Sequence, residues 1–246
     1  MKKLILAIGL ITISLSALAQ TRGVVDISVA NLREDPDYAA EMGTQALMGT
    51  IVEILGSESY WIQVVTPDGY KAWVNEMAVR QFDKNSEAIY SNADKAVCTA
   101  RTSVIYSSPD RKSRPVSDLV RGDVVVKDHG TVRHGMVPVS TPGGRHGWVS
   151  KKDICEHETW ARSRSCTAEN VVTEALKYVG VPYLWGGNSP KGFDCSGLTS
   201  YAALMNGRTL PRNASQQAKL GKPVDLTELE AGDLLFFGNH ETGRVS

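Results

Sequence analysis

Beyond its first 19 residues the chain has no apolar run long enough to span a bilayer, no block of like charge and no basic stripe. The missing stripe argues against nucleic acid as a partner, and the missing spans argue against stable membrane insertion. Across 246 residues, 27 Lys and Arg balance 27 Asp and Glu. Charged ligands therefore have to be recognised by local groups rather than by an overall field. Cysteine is scarce, with Cys98, Cys155, Cys166 and Cys195 alone, and no Cys-x-x-Cys or Cys/His grouping has zinc spacing. Five histidines are present, and only His240 follows Cys195. No metal and no organic cofactor is implied.

The N-terminus reads as a leader. Lys2 and Lys3 precede an apolar stretch from Leu4 to Leu18, and Ala17-Leu18-Ala19 is a small-x-small cleavage pattern. A signal peptide at 1–19 and a mature chain from near Gln20 are expected, with an exported, periplasmic or extracellular protein as the result. No cysteine sits at the junction, so lipid attachment is not expected. Export permits disulfides. Cys98–Cys155 and Cys155–Cys166 are rival pairings between which the sequence does not choose.

The middle of the chain repeats itself. Thr66-Pro67-Asp68-Gly69-Tyr70-Lys71-Ala72-Trp73-Val74 returns as Thr141-Pro142-Gly143-Gly144-Arg145-His146-Gly147-Trp148-Val149, 75 residues later. Asp35-Pro36-Asp37 returns as Ser108-Pro109-Asp110, and the segment from Leu47 to Leu55 returns from Leu119. Each copy reads as short strands split by Pro/Gly/Asp turns, and β-rich copies of this size suggest small barrels. The alternation in Trp61-Ile62-Gln63-Val64-Val65 predicts a half-buried strand. The linkers at 81–89 and 156–166 are polar and charged.

A helix is predicted over Ala168–Val179, capped by Thr167, with Val172, Ala175, Leu176 and Val179 packed into a core. Gly180 and Pro182 end it. A glycine-rich approach then leads to Cys195, after which Leu198, Tyr201, Ala202 and Met205 recur at helical spacing. A cysteine in the first turn of a helix sits among unpaired N–H groups at the positive end of the dipole, which favours the nucleophilic thiolate. His240 lies in Gly238-Asn239-His240-Glu241-Thr242-Gly243, a solvated turn, and is not expected to serve as a base.

Four motifs stand in order over residues 167–246: Tyr183-x-Trp185-Gly186-Gly187, Phe193-Asp194-Cys195-Ser196-Gly197-Leu198, Leu210-Pro211-Arg212 and Ala231-Gly232-Asp233-Leu234-Leu235-Phe236-Phe237. Together they resemble the NlpC/P60 family of cell-wall cysteine peptidases. The two repeats, at 22–80 and 90–155, resemble bacterial SH3 domains. The resemblance implies a multidomain chain: two small all-β SH3-like barrels followed by an α+β papain-like domain at 167–246, incomplete at its C-terminus. In the family's register the histidine base would be the residue after Ser246, so the chain as it stands is expected to be inactive.

The resemblance also implies a substrate. Members with two SH3 domains ahead of the peptidase domain resemble γ-D-glutamyl-L-diamino-acid endopeptidases acting on peptidoglycan stem peptides or muropeptides, as monomers. By that likeness Cys195 is the nucleophile and Asp194 pairs with the substrate α-ammonium. Tyr183 and Trp185 flank the cleft, while Ser196 and Arg212 hydrogen-bond the D-glutamate α-carboxylate. Tyr70 matches a tyrosine of the first barrel that limits access, and Glu41 approximates an acid that reads the amine. A cell-wall-binding protein with a defective hydrolase domain, and an amidase or acyltransferase on the same fold, are the competing readings.

Overall fold

The computed structural model describes residues 21–238 and Val245, so the leader and His240 lie outside the described residues. Seven short strands come first: β1 (Thr21–Val25), β2 (Val29–Arg33), β3 (Met42–Leu47), β4 (Ile51–Glu58), β5 (Trp61–Val65), β6 (Lys71–Asn75) and β7 (Val79–Gln81). They form one sheet in the order β3-β2-β6-β5-β4-β1-β7. Strand alternation puts every second side chain on one face. In β5, Ile62 and Val64 are buried while Gln63 and Val65 are half-buried. The buried face closes around Val25, Leu32, Val52, Ile62, Val64 and Val74. The Thr66–Tyr70 turn joins β5 to β6: Thr66 donates its N–H to the Tyr70 carbonyl at 3.0 Å, and Gly69 takes φ +83°, a conformation open to glycine at little cost.

The first polar linker carries a helix, α1 (Lys84–Asn92), which Asp83 starts with a capping box. A second sheet follows: β8 (Lys95–Cys98), β9 (Thr102–Tyr106), β10 (Pro115–Val120), β11 (Val124–Lys127), β12 (Met136–Ser140), β13 (His146–Ser150) and β14 (Ile154–Glu156). Its order, β10-β9-β13-β12-β11-β8-β14, is the first order shifted by one unit of seven. The matching turn recurs, with Thr141 donating to Arg145 at 3.0 Å and Gly144 at φ +90°.

All four cysteines are free. In the β8–β14 pairing Cys98 faces Ile154 and Cys155 faces Val97. A one-residue offset sends the two side chains to opposite faces of the sheet, so Cys98 and Cys155 cannot meet without a register shift. Cys98 is buried, and burial, with Asp123 nearby, pushes its thiol up to about 12. Helix α2 (His157–Ser163) intervenes between Cys155 and Cys166.

Helix α3 (Ala168–Leu176) begins as expected, with the Thr167 hydroxyl accepting from the Asn170 N–H at 3.2 Å. Its inner face differs from the expected one. Leu176 and Val179 are 63% and 77% exposed, and Glu174 and Tyr178 are buried instead. The reason is electrostatic. Arg121, just past β10, reaches Glu174 through Nε and Nη2 at 2.7 and 3.2 Å, and Lys177 approaches it at 2.5 Å. The helix turns its carboxylate inward to meet them.

A short hairpin follows, β15 (Asn188–Ser189) with β16 (Gly192–Phe193), then α4 (Cys195–Met205) and α5 (Ala214–Gln217). Leu47, at the end of β3, and Val120, at the end of β10, both pack with Tyr178, Phe193, Tyr201 and Met205. This shared cluster joins both sheets to α4. Met48, one residue further along the first unit, enters the core of the second.

Candidate active site

Cys195 is the first residue of α4 and is exposed. Its position is set by Asp194, the helix N-cap, whose carboxylate accepts from the Gly197 N–H at 2.7 Å. The same carboxylate accepts from the Gly186 N–H at 3.0 Å and from both terminal nitrogens of Arg212, at 3.1 and 2.5 Å. The Arg212 side chain is 2% exposed and that of Asp194 is 11% exposed. A buried bidentate pair of this kind fixes orientation as well as charge. Arg212 also donates to Ser196 Oγ at 2.9 Å and to Thr44 Oγ1 of β3 at 3.0 Å.

Arg212 and Ser196 were expected to hold the substrate directly, yet both are buried and turned toward Asp194. They lock the N-cap that presents Cys195. Gln217, from α5, donates to the Ser196 and Pro211 carbonyls at 3.1 and 2.8 Å and ties that segment to α4.

The flank of the site is open. Tyr183 and Trp185 are each 64% exposed. Partial burial and the nearby Cys195 and Asp194 push the Tyr183 phenol upward. The Trp185 indole N–H donates to Glu41 at 2.6 Å, so the first sheet unit reaches the segment that leads to Cys195. Tyr70 donates to Glu34 on the same rim. Burial, then the Glu34 hydrogen bond and charge, raise its phenol well above the usual range. The structure thus gathers Tyr70, Glu41, Tyr183, Trp185, Asp194, Cys195, Ser196 and Arg212 around one N-terminus.

Three participants escaped the sequence reading. Glu34 shares the rim with Tyr70. Thr44 supports Arg212, and Gln45 accepts from the Asn188 N–H and the Ser189 hydroxyl at 3.0 and 2.8 Å. Their signal is three-dimensional, because β3 is the docking strand. Two glycines mark how closely it docks. A Cβ on Gly186, which has φ +73°, would lie 2.0 Å from the Met42 carbonyl oxygen, and a Cβ on Gly43 would overlap Glu34 and the Tyr70 hydroxyl. Behind β3, a cavity of about 180 Å³ lined by Thr44, Gln45, Asn188, Ser200 and Leu210 does not include Cys195 among its lining residues.

Among the described residues no group of three or more His, Cys, Asp or Glu side chains is placed to hold a metal ion, and no helix is long and apolar enough to cross a membrane. The chemistry on view is that of an exposed thiol at a helix N-terminus, beside a cleft whose rim is acidic and aromatic.

Comparison with known proteins agrees with that geometry. Residues 180–245 match the NlpC/P60 family, and residues 28–79 match the bacterial SH3 domain. A γ-D-glutamyl-L-lysine dipeptidyl-peptidase from Bacillus cereus is 29% identical over 85% of the chain; the chain spans 63% of that relative's length. Dipeptidyl-peptidase 6 from Lysinibacillus sphaericus is 32% identical over 88% of the chain and 82% of its own length. The crystal structure of an NlpC/P60 family protein from Bacillus cereus superposes with a TM-score of 0.77 at 23% identity, covering 92% of this chain and 86% of that one, which shows a shared fold. With a cysteine-led helix at its centre, a matching family signature around it and a relative alike over most of both lengths, the chain belongs to the NlpC/P60 family.

Proposed function

We propose that this protein is an exported cysteine peptidase that hydrolyses the bond between the D-glutamate γ-carbonyl and the diamino acid of peptidoglycan peptides. The observation that carries this reading is the exposed Cys195 at the start of α4, held by the Asp194–Arg212 pair and faced by the acidic rim of the first sheet unit. Glu34 and Glu41 provide two carboxylates at the entrance without a cation in an ion pair with either among the described residues. Such a rim favours a substrate that presents a free α-ammonium and disfavours one that is acylated there. That preference agrees with the dipeptidyl-peptidase names of the relatives.

In this mechanism the Cys195 thiolate attacks the γ-carbonyl carbon. Backbone N–H groups of the first turn of α4 receive the developing oxyanion. The C–N bond breaks as the amine takes a proton, and water then hydrolyses the thioester. A general base takes the thiol proton and returns it to the leaving amine; by the family resemblance that base is a histidine. Asp194 acts through position and charge: it fixes the helix start and lends the amine subsite a negative potential, tempered by Arg212. The second sheet unit, with the strand order of the first, is read as a second bacterial SH3 domain, and the segment from Thr167 as the papain-like part.

The test uses the full reading frame incubated with L-Ala-γ-D-Glu-meso-diaminopimelate, with products followed by mass spectrometry. Release of L-Ala-D-Glu is expected, and Cys195→Ala should lower turnover by about 10⁴-fold or more. A folded full-length protein that cleaves neither this peptide nor its lysine analogue would overturn the assignment.

A further inference from the structure

Phe193, the residue before Asp194, packs edge to face against two tyrosines. Its ring centroid lies 5.1 Å from that of Tyr178 and 5.2 Å from that of Tyr201, and the tyrosines lie 5.3 Å from each other. Backbone bonds tie this ring to the site. The Phe193 carbonyl accepts from the Leu184 N–H at 2.9 Å, between Tyr183 and Trp185, and the Asp194 N–H donates to the Gly187 carbonyl at 3.0 Å. Tyr178, Phe193 and Tyr201 are 4, 6 and 1% exposed, so they are closed to a substrate. Whatever they do for the reaction they do through Cys195.

One residue of the second unit serves both tyrosines. Arg121, in the turn between β10 and β11, accepts from the Tyr201 hydroxyl through its carbonyl at 2.6 Å. Its guanidinium holds Glu174, which accepts from the Tyr178 hydroxyl at 3.0 Å. The turn is itself fixed: Arg121 Nη1 donates to the Thr99 carbonyl at 2.5 Å, and the Asp123 carboxylate accepts from the Val120 N–H at 2.8 Å. Gly122, at φ +97°, lets the turn approach α4, because a Cβ there would lie 2.7 Å from Met205 Cε. A ring in an apolar cluster can slide along its neighbours at little cost, whereas a short hydrogen bond to a carbonyl admits a narrow range of positions. Phenylalanine would fill the space of the Tyr201 ring; the hydroxyl is what pins α4 to the second unit. Burial pushes the Tyr201 phenol well above its ordinary range, so the donor keeps its proton through neutral and mildly alkaline pH.

We propose that Tyr201 is a positioning residue for Cys195: its hydroxyl, held by the Arg121 carbonyl, and its ring, held against Phe193, set how α4 presents the thiol to the scissile carbonyl. The second unit thereby governs the chemical step without touching the substrate. The assignment rests on Cys195 as the nucleophile of the function proposed above. Reactivity of the thiol toward a small reagent tests it apart from that function.

The experiment is steady-state kinetics of the full reading frame on L-Ala-γ-D-Glu-meso-diaminopimelate. In Tyr201→Phe, kcat should fall by about tenfold at unchanged KM. Phe193→Leu keeps the Tyr201 hydroxyl and removes the ring that relays it. It should give the same loss in kcat alone, and the double variant should be no slower than the slower single one. Two controls separate positioning from stability. Ile105→Val, in the separate core of the second unit, should lower the melting temperature and leave kcat within about twofold of the parent. Tyr178→Phe, whose hydroxyl serves Glu174, should do the same. In parallel, alkylation of Cys195 by iodoacetamide, read by mass spectrometry on the peptide that holds it, should slow by about tenfold in Tyr201→Phe and not in Ile105→Val. A parental kcat in Tyr201→Phe, additive losses in the double variant, or an equal loss in Ile105→Val would each overturn the proposal. If Tyr201→Phe does not fold, Phe193→Leu decides, and a parental kcat there overturns it. If no form cleaves the peptide while alkylation slows as described, the peptidase reading fails and the positioning role stands.

Discussion

The two sheet units have the same strand order and the same turns, yet they meet the rest of the chain differently. The first docks through β3, whose Thr44 and Gln45 hydrogen-bond Arg212, Asn188 and Ser189 near the start of α4. The second docks through Arg121 and Val120, which reach Glu174 and the aromatic cluster beneath α4. One unit therefore shapes the cleft, and the other supports the helix that carries Cys195. Duplication supplied a scaffold; the residues at the strand ends decide how each copy meets the rest of the chain.

The sharpest way to break the contrast is at Arg212, which joins Thr44 of the first unit to the helix that carries Cys195. Arg212→Ala leaves the Asp194 carboxylate buried without its partner. It should cost about 3–5 kcal/mol of stability, read by denaturant titration, together with most of the activity. Removal of Arg121 from the second unit should destabilise the chain too, while leaving the Asp194 geometry and hence the KM for a small peptide unchanged. If both variants changed KM alike, the division of labour between the units would be wrong.

A smaller effect is expected at the rim. Glu34→Gln and Glu41→Gln should each lower kcat/KM by about tenfold on peptides with a free N-terminus, mainly through KM. N-acetylated peptides, already poor substrates, should not suffer further. The corresponding change in the second unit, Arg114→Glu, should leave tripeptide cleavage unaltered. Next comes Thr44→Val, which removes the acceptor for Arg212 Nε and should cost about 1 kcal/mol. Its signature would be lower kcat at unchanged KM, because Thr44 is buried and accepts from Arg212.

Much of this architecture was legible in the residues, and the remainder was hidden for identifiable reasons. The duplicated turns at Thr66–Tyr70 and Thr141–Arg145 follow from local chemistry, because a glycine with positive φ marks the turn wherever it occurs. The Thr167 and Asp194 caps are equally local. What escaped prediction depends on partners distant in sequence. The hydrophobic pattern of α3 pointed Leu176 inward, but Arg121, on another unit, drew Glu174 there instead. Arg212, expected to reach the substrate, is enclosed by Thr44 and Asp194, partners that the sequence does not reveal. Cys98–Cys155 was one of two pairings the sequence left open, and strand register sends those two side chains to opposite faces.

The last contrast is between two buried acids at the unit junctions, and it shows in pH dependence. Burial would raise the Glu174 carboxyl, but hydrogen bonds from Lys177 and Arg121 bring it below its ordinary range. A carboxyl lowered on folding contributes stability that is present above its unfolded pKa and is lost as pH falls through the folded value. Asp123 is the opposite case. It accepts from the Met48 and Val120 N–H groups at 3.1 and 2.8 Å, but it has no cation in an ion pair among the described residues, and burial pushes its carboxyl well above its ordinary range. A raised carboxyl contributes stability that is complete below the unfolded pKa and is lost as pH rises through the folded value. Melting temperature against pH should therefore fall on the acid side through Glu174 and on the alkaline side of the Asp123 titration through Asp123. Glu174→Gln should flatten only the acid limb and Asp123→Asn only the other, each by a few degrees. A parent curve that stays flat through the neutral range and is untouched by Asp123→Asn would show that Asp123 remains ionised in the junction, with its two backbone donors sufficient to hold the charge.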